Sequence, residues 1–258
     1  MKRFIKYLIL CLALCLTLIG CKKNRTKFVI GLDASFPPMG FYDESGNLTG
    51  YDIDLAREVA KRLNLEFEAK PIEWKNKDKE MSSKNIDCIW SGFTVTEERE
   101  KKYLFTRPYL SNEQVLVVYE DSKVKSLADA KDFVIECQSY STAEDAINKN
   151  QKFYSSLKSV IFSDDYIKAL DDLENRKVDG IVMDSIVARY MCTLSSSKLI
   201  IIDEPLADEL YAVGFNKDKD GQELMALVQE TLLSMQKDGT VSALSNKWFG
   251  KDISIIGR

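Results

Sequence analysis

The sequence predicts an α/β protein whose strands and helices form layered, largely parallel sheets. Short apolar runs typical of β-strands alternate with segments whose apolar residues recur every three or four positions, as in amphipathic helices. Hydrophobic residues make up 45% of the 258 positions and charged residues 29%, which excludes a disordered, collagen-like or coiled-coil chain. No long flexible linker interrupts the alternation, so we expect two lobes joined by extended strands.

The first half of the pattern opens with the apolar run 28–32, which predicts a strand. A helix is expected over 52–64, where apolar residues recur at helical spacing and Asp52 is the expected N-cap. Thr96 precedes an acidic first turn and therefore predicts the start of another helix. Further strands are expected at 65–69, 86–91 and 115–119.

The second half repeats the alternation and ends in two helices. The expected strands are 133–136, 160–162, 178–183, 199–202 and 211–215. The expected helices are 141–150, 165–175, 185–192, 221–238 and 240–248. The pair Asp238-Gly239 separates the last two helices, because glycine commonly ends a helix.

The N-terminus has the features of a secretory signal. A basic start is followed by an apolar run over 7–20, which is shorter than the roughly 20 residues that span a bilayer. The segment Leu18-Ile19-Gly20-Cys21 resembles the bacterial lipobox, in which the cysteine is acylated and becomes the new N-terminus. We therefore expect a lipoprotein signal over 1–20 and a lipidated tether over 21–27. The alternative is an ordinary signal peptide that contains cysteines.

Charge and histidine content exclude several functions. The chain has 36 basic and 40 acidic residues, and removal of 1–20 leaves 33 basic residues against the same 40 acidic ones. The resulting charge of −7 disfavours binding to nucleic acid. Since the chain has no histidine, it cannot contain a Ser-His-Asp or Cys-His catalytic site.

Three cysteines remain once the signal and the lipidated residue are set aside: Cys88, Cys137 and Cys192. An odd number cannot pair completely within one chain, and Cys88 and Cys137 lie in strand-like runs. We expect these two to be buried free thiols. No Cys-x-x-Cys motif is present, so we expect neither a metal nor a cofactor.

Five short motifs follow one another along residues 28–250. They lie at 34–41 with Gly46 and 50–56, at 86–99 with 105–109, and at 138–144, 178–184 and 237–240. In order and spacing they resemble the family 3 extracellular solute-binding proteins, the polar amino-acid receptors of bacterial ABC importers. The resemblance implies a type II periplasmic-binding-protein fold, or Venus flytrap, with hinge strands between its lobes. It implies lobe 1 over 26–111 and 206–258, lobe 2 over 112–205, and a ligand between the closing lobes.

The resemblance assigns the two charged groups of a free amino acid to two residues. Arg99 matches the arginine that grips the α-carboxylate, and its planar guanidinium can bind both oxygens. Asp184 matches the acid that binds the α-ammonium, and it follows an apolar strand, where open α/β sheets place their ligands. The alternatives are a surface arginine and an aspartate that only caps a helix.

Five further positions would complete the recognition of the amino-acid backbone. The resemblance implies that they contribute main-chain groups, hydroxyls and a helix N-terminus, which favours anions. They are Ser91, Gly92, Thr94, Ser141 and Thr142. Ser141 and Thr142 can also be read as ordinary helix caps.

The resemblance places the ligand's side chain against Asp33, Phe36, Trp74 and, with less support, Trp90. Phe36 and Trp74 match aromatic walls of the family, and each could instead belong to the core. A carboxylate between aromatic rings favours a cation or an amide donor. The sequence therefore favours arginine, lysine, ornithine, histidine or glutamine as the ligand.

Two positions depart from the more familiar relatives. Gly92 replaces a serine that some of them carry, and Tyr140 stands where a glycine is common. These departures affect the expected shape of the ligand pocket, and not the contacts to the carboxylate and ammonium.

Taken together, the sequence predicts a monomeric receptor, anchored by lipid at Cys21 outside a bacterial membrane, that delivers an amino acid to an ABC permease. One alternative is an enzyme like cyclohexadienyl or arogenate dehydratase on the same fold, which would need a general acid other than histidine. Another is a ligand-sensing receptor. Such receptors normally carry extra domains, and we expect none after residue 258.

Overall fold

A computed structural model describes residues 25–195 and 198–257. The predicted signal 1–20, the lipidation site Cys21 and the first half of the tether lie outside the described residues. The architecture is α/β, with two large sheets and helices packed on them, as predicted. No helix in the described part of the chain combines the length and the apolar composition needed to span a membrane.

The first large sheet has five strands in the order β5-β1-β6-β14-β7. Their bounds are β1 Lys27–Leu32, β5 Glu66–Pro71, β6 Cys88–Ile89, β7 Tyr103–Phe105 and β14 Gly214–Asn216. A small sheet beside it consists of β2 Ser35–Phe36, β3 Gly40–Tyr42 and β4 Leu48–Thr49. We refer to the region around these sheets as lobe 1.

The second large sheet has the order β10-β9-β11-β8-β12, and β13 also pairs with β8. Its strands are β8 Leu110–Tyr119, β9 Val134–Gln138, β10 Ser159–Ser163, β11 Gly180–Asp184, β12 Leu199–Ile201 and β13 Ala207–Tyr211. We refer to the region around this sheet as lobe 2. The residue boundaries predicted for the lobes, at 111/112 and 205/206, stay a prediction.

Helices cover both sheets. They are α1 Tyr51–Arg62, α2 Lys77–Ser82, α3 Glu97–Lys102, α4 Thr142–Lys149, α5 Gln151–Ser156, α6 Tyr166–Glu174, α7 Ser185–Leu194, α8 Lys219–Lys237 and α9 Thr240–Phe249. The predicted cap of α3 is confirmed, since the Thr96 side chain accepts a hydrogen bond from the Arg99 amide. The predicted cap of α1 is wrong: Gly50 occupies the N-cap position, and Asp52 is buried inside the helix.

The expectation of largely parallel sheets is wrong for β8, β13 and β14. Parallel pairing joins β1 to β5 and β6, and β9 to β10 and β11, whereas β8 is antiparallel to all of its partners. Residues 110–114 pair with 207–211 as a two-stranded ribbon. One strand carries the chain from lobe 1 into lobe 2 and the other brings it back, so they run in opposite directions. The predicted strand 211–215 is divided between β13 and β14.

The sheets bury the core residues that the apolar runs predict. Cys88 and Cys137 are fully buried free thiols, as expected, and Cys192 is a partly buried free thiol. Trp90 is fully buried, and its ring centroid lies 6.3 Å from that of Tyr109 in the core of lobe 1. Trp90 therefore belongs to the core, and Trp74 is the tryptophan that reaches the space between the lobes.

Candidate functional site

One cleft brings together all ten residues that the sequence singled out for ligand binding. Residues of lobe 1 and lobe 2 line it from opposite sides. They are Asp33, Phe36, Trp74, Ser91, Gly92, Thr94, Arg99, Ser141, Thr142 and Asp184. Gln138, which the sequence analysis did not select, also lines the cleft.

Strand ends place several of these side chains. Asp33 follows β1 and Ser91 lies two residues beyond β6, and these two strands are parallel neighbours in lobe 1. Gln138 and Asp184 are the last residues of β9 and β11, which are parallel neighbours in lobe 2. The cleft thus lies at the carboxyl ends of the parallel strands of both sheets, where α/β proteins bind ligands.

The two lobes lie close together at this cleft. The space between the lining residues is about 280 Å³ when the open mouth of the cleft is included. Only about 20 Å³ of it is wide enough to hold the centre of a water molecule. That room corresponds to about one water molecule. An amino acid can therefore enter only when the lobes part.

Arg99 is a part-buried cation with few partners of its own. One guanidinium nitrogen donates to the Thr94 carbonyl oxygen at 2.9 Å, and the Arg99 Cζ lies 4.4 Å from the centre of the Phe93 ring. Arg99 forms no ion pair with any described residue. Burial lowers the pKa of Arg99, although the carboxylates of Glu209, Asp145 and Asp184 raise it in part. The guanidinium thus keeps donors free for an anion.

Asp184 is a buried acid held by neutral donors. Asn112 Nδ2 donates to Asp184 Oδ1 at 2.7 Å, the Tyr211 hydroxyl donates to the same oxygen, and the Tyr166 hydroxyl donates to Oδ2 at 3.4 Å. Although Asp184 is at the N-cap position of α7, its side chain makes no capping hydrogen bond. The alternative of a simple cap is therefore not supported.

A second buried carboxylate, Glu209 on β13, lies beside Asp184. Its Oε2 accepts hydrogen bonds from Asn112 Nδ2 at 2.9 Å, Gln114 Nε2 at 3.0 Å and the Thr94 hydroxyl at 3.0 Å. Burial and the neighbouring charge of Glu209 raise the pKa of Asp184. No cation within the described ranges pairs with either acid, so the pair would be stabilised by a ligand that brings a positive charge.

Hydroxyl groups of the two lobes face each other across the cleft. The Thr94 and Thr142 hydroxyl oxygens are 3.5 Å apart, and Gln114 Nε2 donates to the Thr142 hydroxyl oxygen at 3.3 Å. Ser141 caps α4, because its side chain accepts from the Glu144 amide. Both readings of Ser141 are therefore compatible, since it caps the helix and also lines the cleft.

Asp33 lies in a different chemical environment of the same cleft. Its Oδ2 accepts a hydrogen bond of 2.6 Å from Gln138 Nε2 across the lobes, and its Oδ1 accepts from the Ser35 amide at 2.8 Å. Burial raises the pKa of Asp33, with a further contribution from Asp165. Asp33 also pairs with no cation among the described residues.

Gly92 is required by its backbone and by its neighbours. Its φ of +52° lies in the left-handed region, and a Cβ there would lie 2.6 Å from Phe36 and 3.0 Å from Tyr211. The Gly92 amide donates to Asp52 Oδ2 at 2.7 Å and is therefore not free for a ligand, so the expected main-chain contact stays a prediction for the Gly92 carbonyl oxygen. Asp52 thus anchors the loop that carries Thr94.

The Ser91 hydroxyl oxygen accepts a hydrogen bond from the Asp33 amide at 3.0 Å, which joins the ends of β1 and β6. The aromatic walls are in place: the Phe36 ring centroid is 5.8 Å from that of Tyr166, and that of Trp74 is 5.8 Å from that of Phe93. Trp74 packs edge-to-face on Phe93, on which Arg99 is stacked. The aromatic rings therefore pack against the Arg99 side chain and also form walls of the cleft.

Sequence reasoning missed four polar residues of this region: Asn112, Gln114, Gln138 and Glu209. Gln138 is the last residue of a buried strand, which is a signal that could have identified it. Asn112 and Glu209 face each other only through the pairing of β8 with β13, and 97 positions separate them. No local sequence pattern predicts such a pair.

The cleft formed by the described residues contains groups of both charge signs and no recognisable metal site. The part of the chain that the structure describes contains no cluster of three or more Cys, Asp or Glu side chains suited to a metal ion. The cleft is instead lined by the Arg99 guanidinium, by the two buried acids Asp33 and Asp184 and by two aromatic walls.

Comparisons with known proteins agree with this arrangement. The L-cystine-binding protein TcyJ of Escherichia coli (strain K12) is 30% identical over 239 residues, covering 92% of this chain and 88% of that protein. A substrate-binding protein of an ABC uptake transporter from Streptococcus pneumoniae with bound histidine is 31% identical with a TM-score of 0.85. The match covers 89% of this chain and 95% of that one.

The structure of Tv2483 bound to L-arginine has the same TM-score of 0.85 at 28% identity, covering 92% of this chain and 96% of that one. All three relatives are named as binding proteins or shown with a bound amino acid. The model of the bacterial extracellular solute-binding proteins, family 3, matches residues 28–251. Together with the two large sheets and the cleft between them, this match establishes that the chain belongs to the family 3 bacterial extracellular solute-binding proteins of ABC importers.

Proposed function

We propose that this protein captures a free polar L-amino acid between its lobes and delivers it to an ABC permease. One observation carries the proposal: a single cleft is lined by a guanidinium without an acidic partner and by Asp184, a buried acid beside Glu209 that has no cationic partner among the residues described. Unpaired charges in a cleft closed to water are costly. A ligand that carries both an α-carboxylate and an α-ammonium neutralises both regions when the lobes close on it.

In this proposal Arg99 binds the carboxylate, and the N-terminus of α4 adds hydroxyl and amide donors from the opposite lobe. Asp184 accepts from the ammonium, and Glu209 strengthens the negative potential there. Both acids are pre-positioned by Asn112, so they need not reorganise when the ligand arrives.

The ligand's side chain is proposed to carry a cation or an amide donor at its far end. Asp33 is buried, its neighbours supply only neutral donors, and Phe36 and Trp74 lie beside it. The relatives that bind arginine and histidine fit this chemistry. L-Cystine, named for another relative, carries a second ammonium that could meet Asp33 in the same way.

The receptor is proposed to be a lipoprotein on the extracytoplasmic side of the membrane. Acylation at Cys21 after removal of 1–20 would leave a short tether before β1. The proposed lobes remain 26–111 with 206–258, and 112–205. The pairing of 110–114 with 207–211 supports a hinge near both boundaries.

The test is thermal unfolding of the purified protein with each of the twenty amino acids, ornithine and cystine. A ligand at 1,000 times its dissociation constant stabilises the folded state by about 4 kcal/mol, which raises the unfolding midpoint by several degrees. We expect the largest shift with a basic or amide amino acid or with cystine. A panel without any shift would contradict the proposal. Turnover of prephenate or arogenate would instead support the dehydratase alternative.

A further inference from the structure

Lys77, the first residue of α2, is a buried lysine next to the candidate site. Its side chain is 8% exposed, and its Nζ donates to the Trp74 carbonyl oxygen at 3.4 Å. A second donation, at 3.1 Å, reaches the Tyr140 carbonyl oxygen on the other lobe. Lys77 is thus a charged contact between the lobes at the edge of the cleft.

The charge of Lys77 is incompletely compensated. Its Nζ forms no ion pair with any residue in the described ranges. Four charged groups act on it: Arg99 and Lys102 repel it, whereas Asp78 and Asp145 attract it. Asp78 is already bound by Lys102 and by the Tyr103 hydroxyl, so it is not available as a direct partner.

Lys77 and Arg99 are linked through one aromatic ring. The Lys77 Nζ lies 4.9 Å from the ring centre of Trp74, and the Arg99 Cζ lies 6.0 Å from it. The repulsion between the two cations would be relieved by an anion bound at Arg99. An amino-acid carboxylate at that position would therefore be attracted by two positive charges.

The contact between Lys77 and the Tyr140 carbonyl oxygen joins the two lobes. Tyr140 has a φ of +59°, and its amide donates to Glu144 Oε2 at 2.7 Å, which fixes the turn before α4. Parting of the lobes would separate Lys77 from the Tyr140 carbonyl and expose its ammonium to water. The contact would thus be present only when the cleft is closed.

We propose that Lys77 is a positioning residue that holds the lobes closed over the amino-acid carboxylate, an inference that rests on the proposed function. The bound carboxylate offsets the cost of burying the ammonium, and the ammonium in turn holds the carboxylate-binding side shut. Lys77 then slows ligand release without touching the ligand's side chain.

A pH signature distinguishes this role from a structural one. Burial and the charge of Arg99 lower the pKa of Lys77 to about 8. The attraction for the carboxylate is therefore present below pH 8 and is lost as the pH rises through that value. The ligand-free protein shows the opposite trend, because a lysine with a lowered folded pKa makes stability rise with pH between about 8 and 10.4.

The experiment measures affinity and dissociation rate for L-arginine, L-histidine and L-cystine at pH 6.5 to 9.5, in the wild type and in Lys77→Met, Lys77→Arg and Lys79→Met. Lys79 is an exposed lysine of the same helix and serves as the matched control. We expect Lys77→Met to weaken binding about tenfold at pH 7, chiefly through faster dissociation, and the difference to shrink towards pH 9.5.

Lys77→Met should leave the unfolding midpoint of the ligand-free protein at pH 7 unchanged or higher, because it removes a buried charge. Lys77→Arg keeps the charge and should lose the inflection near pH 8. If Lys77→Met binds as tightly as Lys79→Met at every pH, or binds weakly only because its unfolding midpoint falls, the inference is wrong. If neither these three nor any other amino acid of the thermal-unfolding panel binds the wild type, the proposed function fails and this inference fails with it.

Discussion

The basic and acidic sides of the cleft differ in how many hydrogen bonds they form with neighbouring residues. On the basic side, Arg99 donates one hydrogen bond to a carbonyl and rests on aromatic rings. On the acidic side, Asp184 and Glu209 together accept hydrogen bonds from amides, tyrosines and a threonine. The acids are thus held in place before a ligand arrives, whereas most donors of the guanidinium are left for the ligand. Changes on the basic side should affect binding alone, and changes on the acidic side should affect both binding and stability.

The largest effect is expected from Arg99→Ala. Loss of the Arg99 guanidinium, the one cation that lines the described cleft, should weaken amino-acid binding about 100-fold, because truncation of one member of a charge pair in a closed site costs about 3 kcal/mol. Stability should not fall, since burial already lowers the pKa of Arg99 and disfavours its charge. Calorimetric titration and thermal unfolding measure the two quantities. The control is Arg107→Ala, at an exposed arginine. If Arg99→Ala bound the amino acid as tightly as this control, the proposed role of Arg99 would be contradicted.

A smaller loss, about 30-fold, is expected from Asp184→Asn, which keeps the shape of the side chain but removes the charge opposite the ammonium. This change also affects stability. Burial and Glu209 raise the pKa of Asp184, so the folded state retains a proton that the unfolded state has already lost. The stability of the ligand-free wild type should therefore decline from about pH 4 to neutral pH.

Asp184→Asn should make that decline shallower. Asp52, whose pKa burial raises to about 7, adds to the same decline, so Asp52→Asn should flatten it further. Urea unfolding between pH 4.5 and 8 measures the slope, and Asp208→Asn, at an exposed acid on β13, is the control. An unchanged slope in Asp184→Asn would show that its carboxyl is already ionised at low pH.

A selective effect is expected from Asp33→Asn. This carboxylate faces the proposed ligand side chain, so the change should weaken L-arginine about tenfold and L-glutamine less than twofold. The control is Asp164→Asn, because Asp164 is an exposed acid whose carbonyl oxygen accepts from Gln138. Equal losses for both amino acids would mean that Asp33 supports the cleft and does not select the side chain.

The smallest effect concerns Tyr140, whose backbone has the left-handed conformation that favours glycine. Tyr140 is 63% exposed, so Tyr140→Gly loses little packing and should raise the unfolding free energy by about 0.5 kcal/mol. Lys123, with a φ of +61°, gives a matched substitution away from the cleft. A gain at Lys123→Gly with a loss at Tyr140→Gly would show that the Tyr140 ring contributes to the closed cleft.

Residues within local motifs were predictable from the sequence, and residues placed by long-range pairing were not. Arg99 lies in the first turn of a capped helix, and Asp184 lies at the end of a strand. Both features are visible in the sequence. Glu209 faces Asn112 only because β13 returns antiparallel to β8. Neither the direction nor the register of that ribbon is encoded in the spacing of residues nearby.

The wrong cap at Asp52 has a similar cause. An acidic residue at the start of an amphipathic pattern is a reasonable N-cap. The carboxyl of Asp52 instead accepts the Gly92 amide and the Tyr109 hydroxyl, which come from segments 40 and 57 positions away. Trp74 and Trp90 could not be distinguished either, because only the packing of lobe 1 decides which one reaches the cleft.

The central claim is that the cleft recognises the carboxylate and ammonium of a free amino acid. Calorimetric titration of the purified protein with L-arginine and L-histidine, each compared with its α-carboxamide, tests it most directly. Because the amide removes only the charge that Arg99 binds, we expect it to bind at least about 100-fold more weakly than the free amino acid. Equal affinities for acid and amide would contradict the account.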